Sequence, residues 1–317
     1  MCILFWTVDN HSKYRFIFAG NRDEFLGRPT SSAHIWEQQY KRLSTGESYK
    51  VIGGTDLEFK EGKEDVNDSS TTAKTNGTWL GITTDGRFSA LTNYREFPNN
   101  KKDNNKSRGC LVRDYLIGDV TVNEYLKQRQ LDADQYSGYN LLWMHFKPRE
   151  QQQKRDDDEM IYFTNRDKDQ PFTQLKKKEI YGLSNSILVN PWKKVEQGKA
   201  IFEKIIKKEG LNEEQLINEL FGLLRTTEPF TNPSDIYQSL EESKERIYFP
   251  LMNEQDKKLS YGTRTSTIIL IDEKDNVTFI EKDWYDLMND RFIEKEKPES
   301  RCFKFHLNDV NNAIINK

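Results

Sequence analysis

Cys2 directly follows Met1 and heads an apolar run, CILFWTV. A small second residue favours removal of the methionine, which would leave the thiol and the α-amino group on one residue. With reference pKa values of about 8.5 and about 7.7–8, such an amine can take the thiol proton near neutral pH. An N-terminal amine activates a threonine nucleophile in the same way. Taken alone, packing as a small hydrophobe at the start of a strand is the commoner fate of such a cysteine. Arg22 and Asp23, in NRDE, come next. An arginine stabilises a thiolate and an aspartate holds an ammonium or orients an amine, although clusters of this kind are often surface ion pairs. Asn93, at the end of FSALTN, and Asn185, in YGLSNS, are amides of the type that hold a developing oxyanion; asparagine is also a good turn residue. In YGTRTST, strand alternation puts Thr263, Thr265 and Thr267 on one side and Arg264 and Ser266 on the other. Polar residues on both faces ahead of an apolar run fit either a strand start lining a cavity or a threonine-rich edge strand.

The elements that must position these residues are legible in outline. CILFWTV and YRFIFAG read as neighbouring strands joined by the turn-forming DNHSK, so the Arg22–Glu24 cluster should end up beside Cys2. Thr78 to Asn93 reads as a hairpin, with Asp85-Gly86 suiting a two-residue type I′ turn. YNLLWMHF and MIYFT pair across a polar segment, and YGTRTSTIILID, NVTFIE and RCFKFHL are further strands. Helices are expected in CLVRDYLI, after the capping box of Thr121 and Glu124, from Asn190-Pro191 to Gly210, and from Asn212 with Leu216, Ile217, Leu220 and Leu224 on its apolar side. Strands, then helices, then strands give an α+β class, with a large sheet system covered by helices. The whole of 1–317 reads as one domain, with polar insertions near 57–76 and 147–159.

Bulk properties narrow the function classes. The 317 residues are 35% hydrophobic and 31% charged, with a formal net charge of -3. Such a balance gives no basic field, which argues against nucleic acid as a partner. Cys2, Cys110 and Cys302 show no CxxC spacing, so neither a disulfide framework nor a zinc ribbon is expected, and a reducing compartment fits. No run reaches the ~18 apolar residues of a membrane-spanning helix, and the first run lacks a signal peptide's basic start. A cytoplasmic chain is expected, not transmembrane, with peripheral membrane contact compatible. His11, His34, His145 and His306 form no paired haem-ligand pattern, and no metal site is expected.

MCI, NRDEF with GRP, GTWLGI, LTNY, YGLSN and YGTRTSTIILID occur in this order from Cys2 to about Leu307. Together they resemble the NRDE-domain family, also called the transport-and-Golgi-organisation family. That family is similar to N-terminal nucleophile hydrolases of the choloylglycine hydrolase and penicillin V acylase type. The resemblance implies a four-layer αββα sandwich. It also implies a site in which Cys2 attacks a C–N amide bond, with Arg22, Asp23, Asn93, Asn185 and Arg264 completing it and no cofactor required. The family's association with secretion, Golgi organisation, haem movement out of mitochondria and acyl-lipid handling implies an alternative. The same cleft, near Trp6, Trp36, Trp79 and Tyr94, would then carry haem or an acyl lipid without turnover, at the Golgi or mitochondria. A purely structural role in secretory traffic gives no reason for Cys2 or the two-faced TRTST. If one site uses all these residues, Asp23, Asn93, Asn185 and Arg264 should converge on Cys2 at the mouth of a cleft, at about 2.6–3.2 Å or through one water.

Overall fold

The computed structural model describes residues 2–58, 76–96, 106–149, 158–227, 244–252, 258–307 and 309, with the backbone of 314–316. Most of both expected polar insertions lies outside the described residues. The apolar opening run forms β1 (Cys2–Val8), which pairs antiparallel with β2 (Tyr14–Phe25) and sets Cys2 opposite Arg22. The chain continues through β3 (Thr30–Ile35), β4 (Tyr40–Lys41), β5 (Ser48–Tyr49), β6 (Val51–Asp56), β7 (Leu80–Thr83) and β8 (Arg87–Asn93). Two helices follow, α1 (Gly109–Ile117) and α2 (Val122–Asp132), then β9 (Tyr139–His145), β10 (Glu159–Thr164), β11 (Phe172–Gln174) and β12 (Ile180–Leu183). The second helix pair is α3 (Lys193–Ile206) and α4 (Glu213–Leu224). After it come β13 (Tyr261–Asp272), β14 (Asn276–Asp283), β15 (Tyr285–Met288), β16 (Arg291–Glu294), β17 (Ser300–His306) and β18 (Ile314–Asn316).

Two seven-stranded antiparallel sheets carry the fold, in the orders β12-β1-β2-β13-β14-β17-β18 and β11-β10-β9-β8-β7-β6-β3. Period-two alternation decides their stacking. Leu4, Trp6, Phe16, Phe18 and Ile269 of the first sheet meet Ile52, Ile82, Phe88, Leu142 and Met144 of the second in one buried layer. On the opposite face of the first sheet, Ile3, Phe5, Ile17, Ala19 and Ile268 pack under Val195 and Phe202 of α3 and Leu216, Leu220 and Leu224 of α4. The second sheet's outer face, with Leu141 and Trp143, is covered by Leu111, Tyr115 and Tyr125 of α1 and α2. The result is a four-layer αββα sandwich, as the family resemblance implies. No helix among the described residues is long and apolar enough to cross a membrane.

Three local expectations need correction. The β7–β8 pairing sets Ile82 opposite Phe88, so the hairpin loop is Thr84-Asp85-Gly86, three residues rather than a two-residue type I′ turn. Of these only Gly86 has positive φ, at 91°, and its amide donates to the Thr83 carbonyl at 3.0 Å. This is a type I turn closed by a left-handed glycine; the Asp85 side chain instead accepts from Arg42 at 2.6 Å. A Cβ on Gly86 would also lie 2.0 Å from the Phe146 carbonyl oxygen. Gly86→Ala is therefore expected to cost about 1–3 kcal/mol, read as a lower thermal unfolding midpoint. Secondly, α3 starts at Lys193 with Trp192 as its cap, so Pro191 lies just outside the helix.

The third correction concerns TRTST. Thr263 pairs with Asp23 but Thr265 pairs with Arg22, so Arg264 is the extra residue of a β-bulge. The bulge breaks the alternation and puts Thr263 beside Asp23 instead of in line with Thr265 and Thr267. The polar residues here form a buried network. Ser266 donates to Asn21 Oδ1 at 2.6 Å and accepts from Trp284 Nε1 at 2.7 Å, while Asn21 donates to the Leu224 and Ile247 carbonyls.

Candidate active site

The start of β1, the end of β2 and the end of β8 open onto one cavity of about 290 Å³. Its lining includes Cys2, Arg22, Asp23, Glu24, Trp79 and Asn93, together with Lys106, Ser107 and Arg108 just ahead of α1. Cys2 is partly buried and its backbone is clamped at both ends. Its nitrogen donates to Asn185 Oδ1 at 3.0 Å, and its carbonyl accepts from Ser184 Oγ at 2.6 Å. Burial pushes the Cys2 thiol up from the ordinary range, and the Asp23 carboxylate adds to this. The terminal ammonium and Arg22 act against it. A thiol so placed is protonated at neutral pH until a base takes its proton.

Asp23 is buried, its carboxylate accepting from Thr263 Oγ1 at 2.6 Å. Burial raises its pKa, opposed first by the terminal ammonium and then by Lys194. Arg22 is only 6% exposed, with its guanidinium 3.9 Å from the centre of the Trp79 ring. One Nη reaches Glu24 at 3.4 Å; the other has no hydrogen-bond partner among the described residues. A buried arginine with an unused donor, on a cavity wall, suits an incoming acceptor. The first turn of α1 adds to this polarity, because it carries neither an acidic residue nor a side-chain cap. The apolar share of the lining is small, chiefly Trp79 and Leu91.

The two asparagines differ in what they can do. Asn185 is fully engaged, its Nδ2 donating to the Asn93 carbonyl at 2.5 Å and its Oδ1 accepting from Cys2. The exposed Asn93 side chain lines the cavity and is the amide free to meet a developing oxyanion. Arg264 does not reach the cavity. Its Nη1 donates to the Leu26 and Arg28 carbonyls at 3.2 and 2.7 Å. It thereby holds the turn that carries Arg28, whose guanidinium meets Asp56 at 2.7 Å on the cavity wall. Arg22, Asp23 and Asn93 share the cavity wall with Cys2, Asn185 bonds its nitrogen directly, and Arg264 stands outside that lining. Of the expected aromatics, Trp79 alone lines the cavity, while Trp6 and Trp36 are core residues.

Sequence reasoning missed Arg28, Asp56 and Lys106–Arg108, whose segments carry no motif of their own apart from Arg28 in GRP. None of the four histidines lines the cavity. Among the described residues no group of three or more His, Cys, Asp and Glu side chains could hold a metal ion.

The chain thus combines a four-layer sandwich with a cysteine at the head of a sheet strand, on one cavity wall with arginine, aspartate and asparagine. A family model described as Transport and Golgi organisation 2 matches residues 1–286. The chain belongs to that family. It is 32% identical to the mouse Transport and Golgi organization 2 homolog, covering 97% of this chain and 99% of the relative. The bovine homolog is 33% identical, with coverages of 89% and 92%. Among solved structures, the chain is similar to a Caenorhabditis elegans N-acylethanolamine-hydrolyzing acid amidase ortholog. That likeness has a TM-score of 0.42 at 13% identity and covers 85% of this chain and 92% of the other.

Proposed function

We propose that this protein is an amide hydrolase that uses Cys2 as nucleophile, on a small substrate with an acyl group on one side of the scissile bond. The observation that carries this reading is the hold on Cys2: its nitrogen bonded to Asn185 at 3.0 Å while the residue lines a cavity with Arg22, Asp23 and Asn93. Once Met1 is removed, that nitrogen becomes an α-amine already oriented by an acceptor. The amine takes the thiol proton, and the sulfur attacks the amide carbonyl. Asn93 donates to the oxyanion, and the ammonium returns the proton to the leaving amine. Water, deprotonated by the same amine, then cleaves the thioester to give a carboxylic acid, and the released Cys2 sulfur takes the proton back from the ammonium. Asp23 supports the charged states of the amine, and Arg22, with the start of α1, receives the polar end of the substrate.

Two measurements on protein purified from its own cytoplasm test this. Mass spectrometry should find Met1 removed, and a panel of N-acyl amides should include members that release amine with saturation kinetics. Quantitative retention of Met1, or no release from any member, would sink the hydrolase.

One observation favours a second reading. Burial pushes the Cys2 thiol up, toward its protonated form, which suits a cleft that binds without attacking. In that reading the protein carries an acyl lipid or haem in trafficking and secretion, at the Golgi or mitochondrial surface. Cys2 is the one sulfur or imidazole donor on the described cavity wall that could meet haem iron. Saturable binding of a fluorescent acyl-CoA or of haem, with no turnover, would favour it.

A further inference from the structure

Lys194 is the second residue of α3, and its side chain is fully buried. Its ammonium has no hydrogen-bond partner among the described residues and lies 5.6 Å from the centre of the Trp192 ring. Three costs coincide here. The charge is out of water, it is unbonded, and it occupies the positive end of a helix dipole. Packing alone does not call for a charged head at that place, since a methionine would fill the same space.

The position of α3 supplies the reason. Val195 and Lys199 lie against Gly182 of β12, and Gly198 lies against Phe5 of β1. The chain reaches α3 from β12 through Ser184 and Asn185, the two residues that clamp Cys2. The first turn of α3 therefore packs on β12 at the level of Phe5, three residues along β1 from Cys2. Asp23 lies on that same helix-facing side, in phase with Ala19, which packs under the helices, and Asn21, which bonds the end of α4. Electrostatics agrees. Burial pushes the Lys194 ammonium down, while Asp23 first and Cys2 second hold it up; Arg95 adds to the depression.

We propose that Lys194 is a positioning residue of the cysteine site, the charge that the helix layer sets against the buried Asp23 beside Cys2. The inference rests on the hydrolase reading for its purpose, but its test does not depend on turnover. Other groups face the pair: the terminal ammonium (which acts on Asp23 ahead of Lys194), Glu24 and Arg22 from β2, Tyr261 and Thr263 from β13, Cys2 from β1, and Arg95. All are left unchanged by the variants below.

Thermal unfolding of Lys194→Met, Asp23→Asn and the double variant, from pH 5 to 9, decides the matter. With Lys194 neutral, the raised Asp23 pKa rises further. Its stabilising contribution belongs to the protonated form, so stability is lost as pH climbs through that value. With Asp23 neutral, the depressed Lys194 pKa falls further, and stability is lost as pH drops through it. The single variants should therefore show opposite pH slopes. The double variant should recover, with a midpoint at least roughly 2–4 °C above the sum of the single effects at pH 7. Should a single variant fail to fold, the double should still fold. Parallel slopes, additive effects, or a double variant no better than its worse parent would overturn the proposal. Absence of amide turnover would sink the hydrolase reading alone, leaving these profiles untouched.

Discussion

Cys2→Ala is expected to abolish amide hydrolysis, with a loss of roughly 10⁴–10⁶-fold in kcat, while the chain stays folded. The size follows from removing the one group that forms the covalent bond; what remains is oxyanion stabilisation and binding. Folding should survive because Cys2 belongs to none of the three buried apolar clusters and its backbone bonds, to Asn185 and Ser184, do not use the thiol. Circular dichroism and the unfolding midpoint should match the parent chain while amine release disappears. Residual hydrolysis within tenfold of the parent would mean that another group does the chemistry. Substrate binding by Cys2→Ala should persist, and this separates the two functional readings. A carrier of acyl lipid would lose nothing, whereas one that holds haem iron through Cys2 would lose haem affinity.

Asp23→Asn is expected to lower the rate by about 10²–10⁴-fold with little change in KM, in keeping with the contribution of groups that govern a proton transfer. The substitution keeps the local geometry, since an amide oxygen can still accept the Thr263 hydroxyl seen at 2.6 Å. What it removes is the negative charge that favours an ammonium on Cys2. Because burial raises the Asp23 pKa above its reference value of 3.8, the acid limb of the rate profile should lie above that value in the parent chain. Activity should rise with pH as the carboxylate ionises, and this limb should vanish in Asp23→Asn. An acid limb that survives the substitution unchanged would assign it to another group.

Asn93 and Asn185 show where a reading from residue types stops. Both end apolar stretches and both carry the same amide, so the sequence treats them alike. Register separates them: Asn185 sits where β12 ends beside β1 and spends both ends of its amide on the Cys2 nitrogen and the Asn93 carbonyl. Arg264 is a similar case, since the bulge beside it turns its guanidinium toward the Leu26 and Arg28 carbonyls and away from the cavity.

What the sequence determines by itself is local and periodic. The alternation in CILFWTV and RFIFAG sets two strands whose odd residues face helices and whose even residues face the other sheet. The Thr121–Glu124 capping box and the Asn212 cap fix two helix starts to the residue. NRDE must follow β2's apolar stretch, so Arg22 falls opposite Cys2 once the two strands pair. Each of these rests on interactions within a few residues or one hairpin, whose energy the local pattern contains. Tertiary structure decided the rest: a cavity wall that takes in Lys106, Ser107 and Arg108, a bulge at Arg264, and a lysine buried in the helix layer. These depend on which distant segments share the space around a charge. The cost of burying Lys194 or Asp23 is set by the groups packed against it, and no pattern along the chain records them.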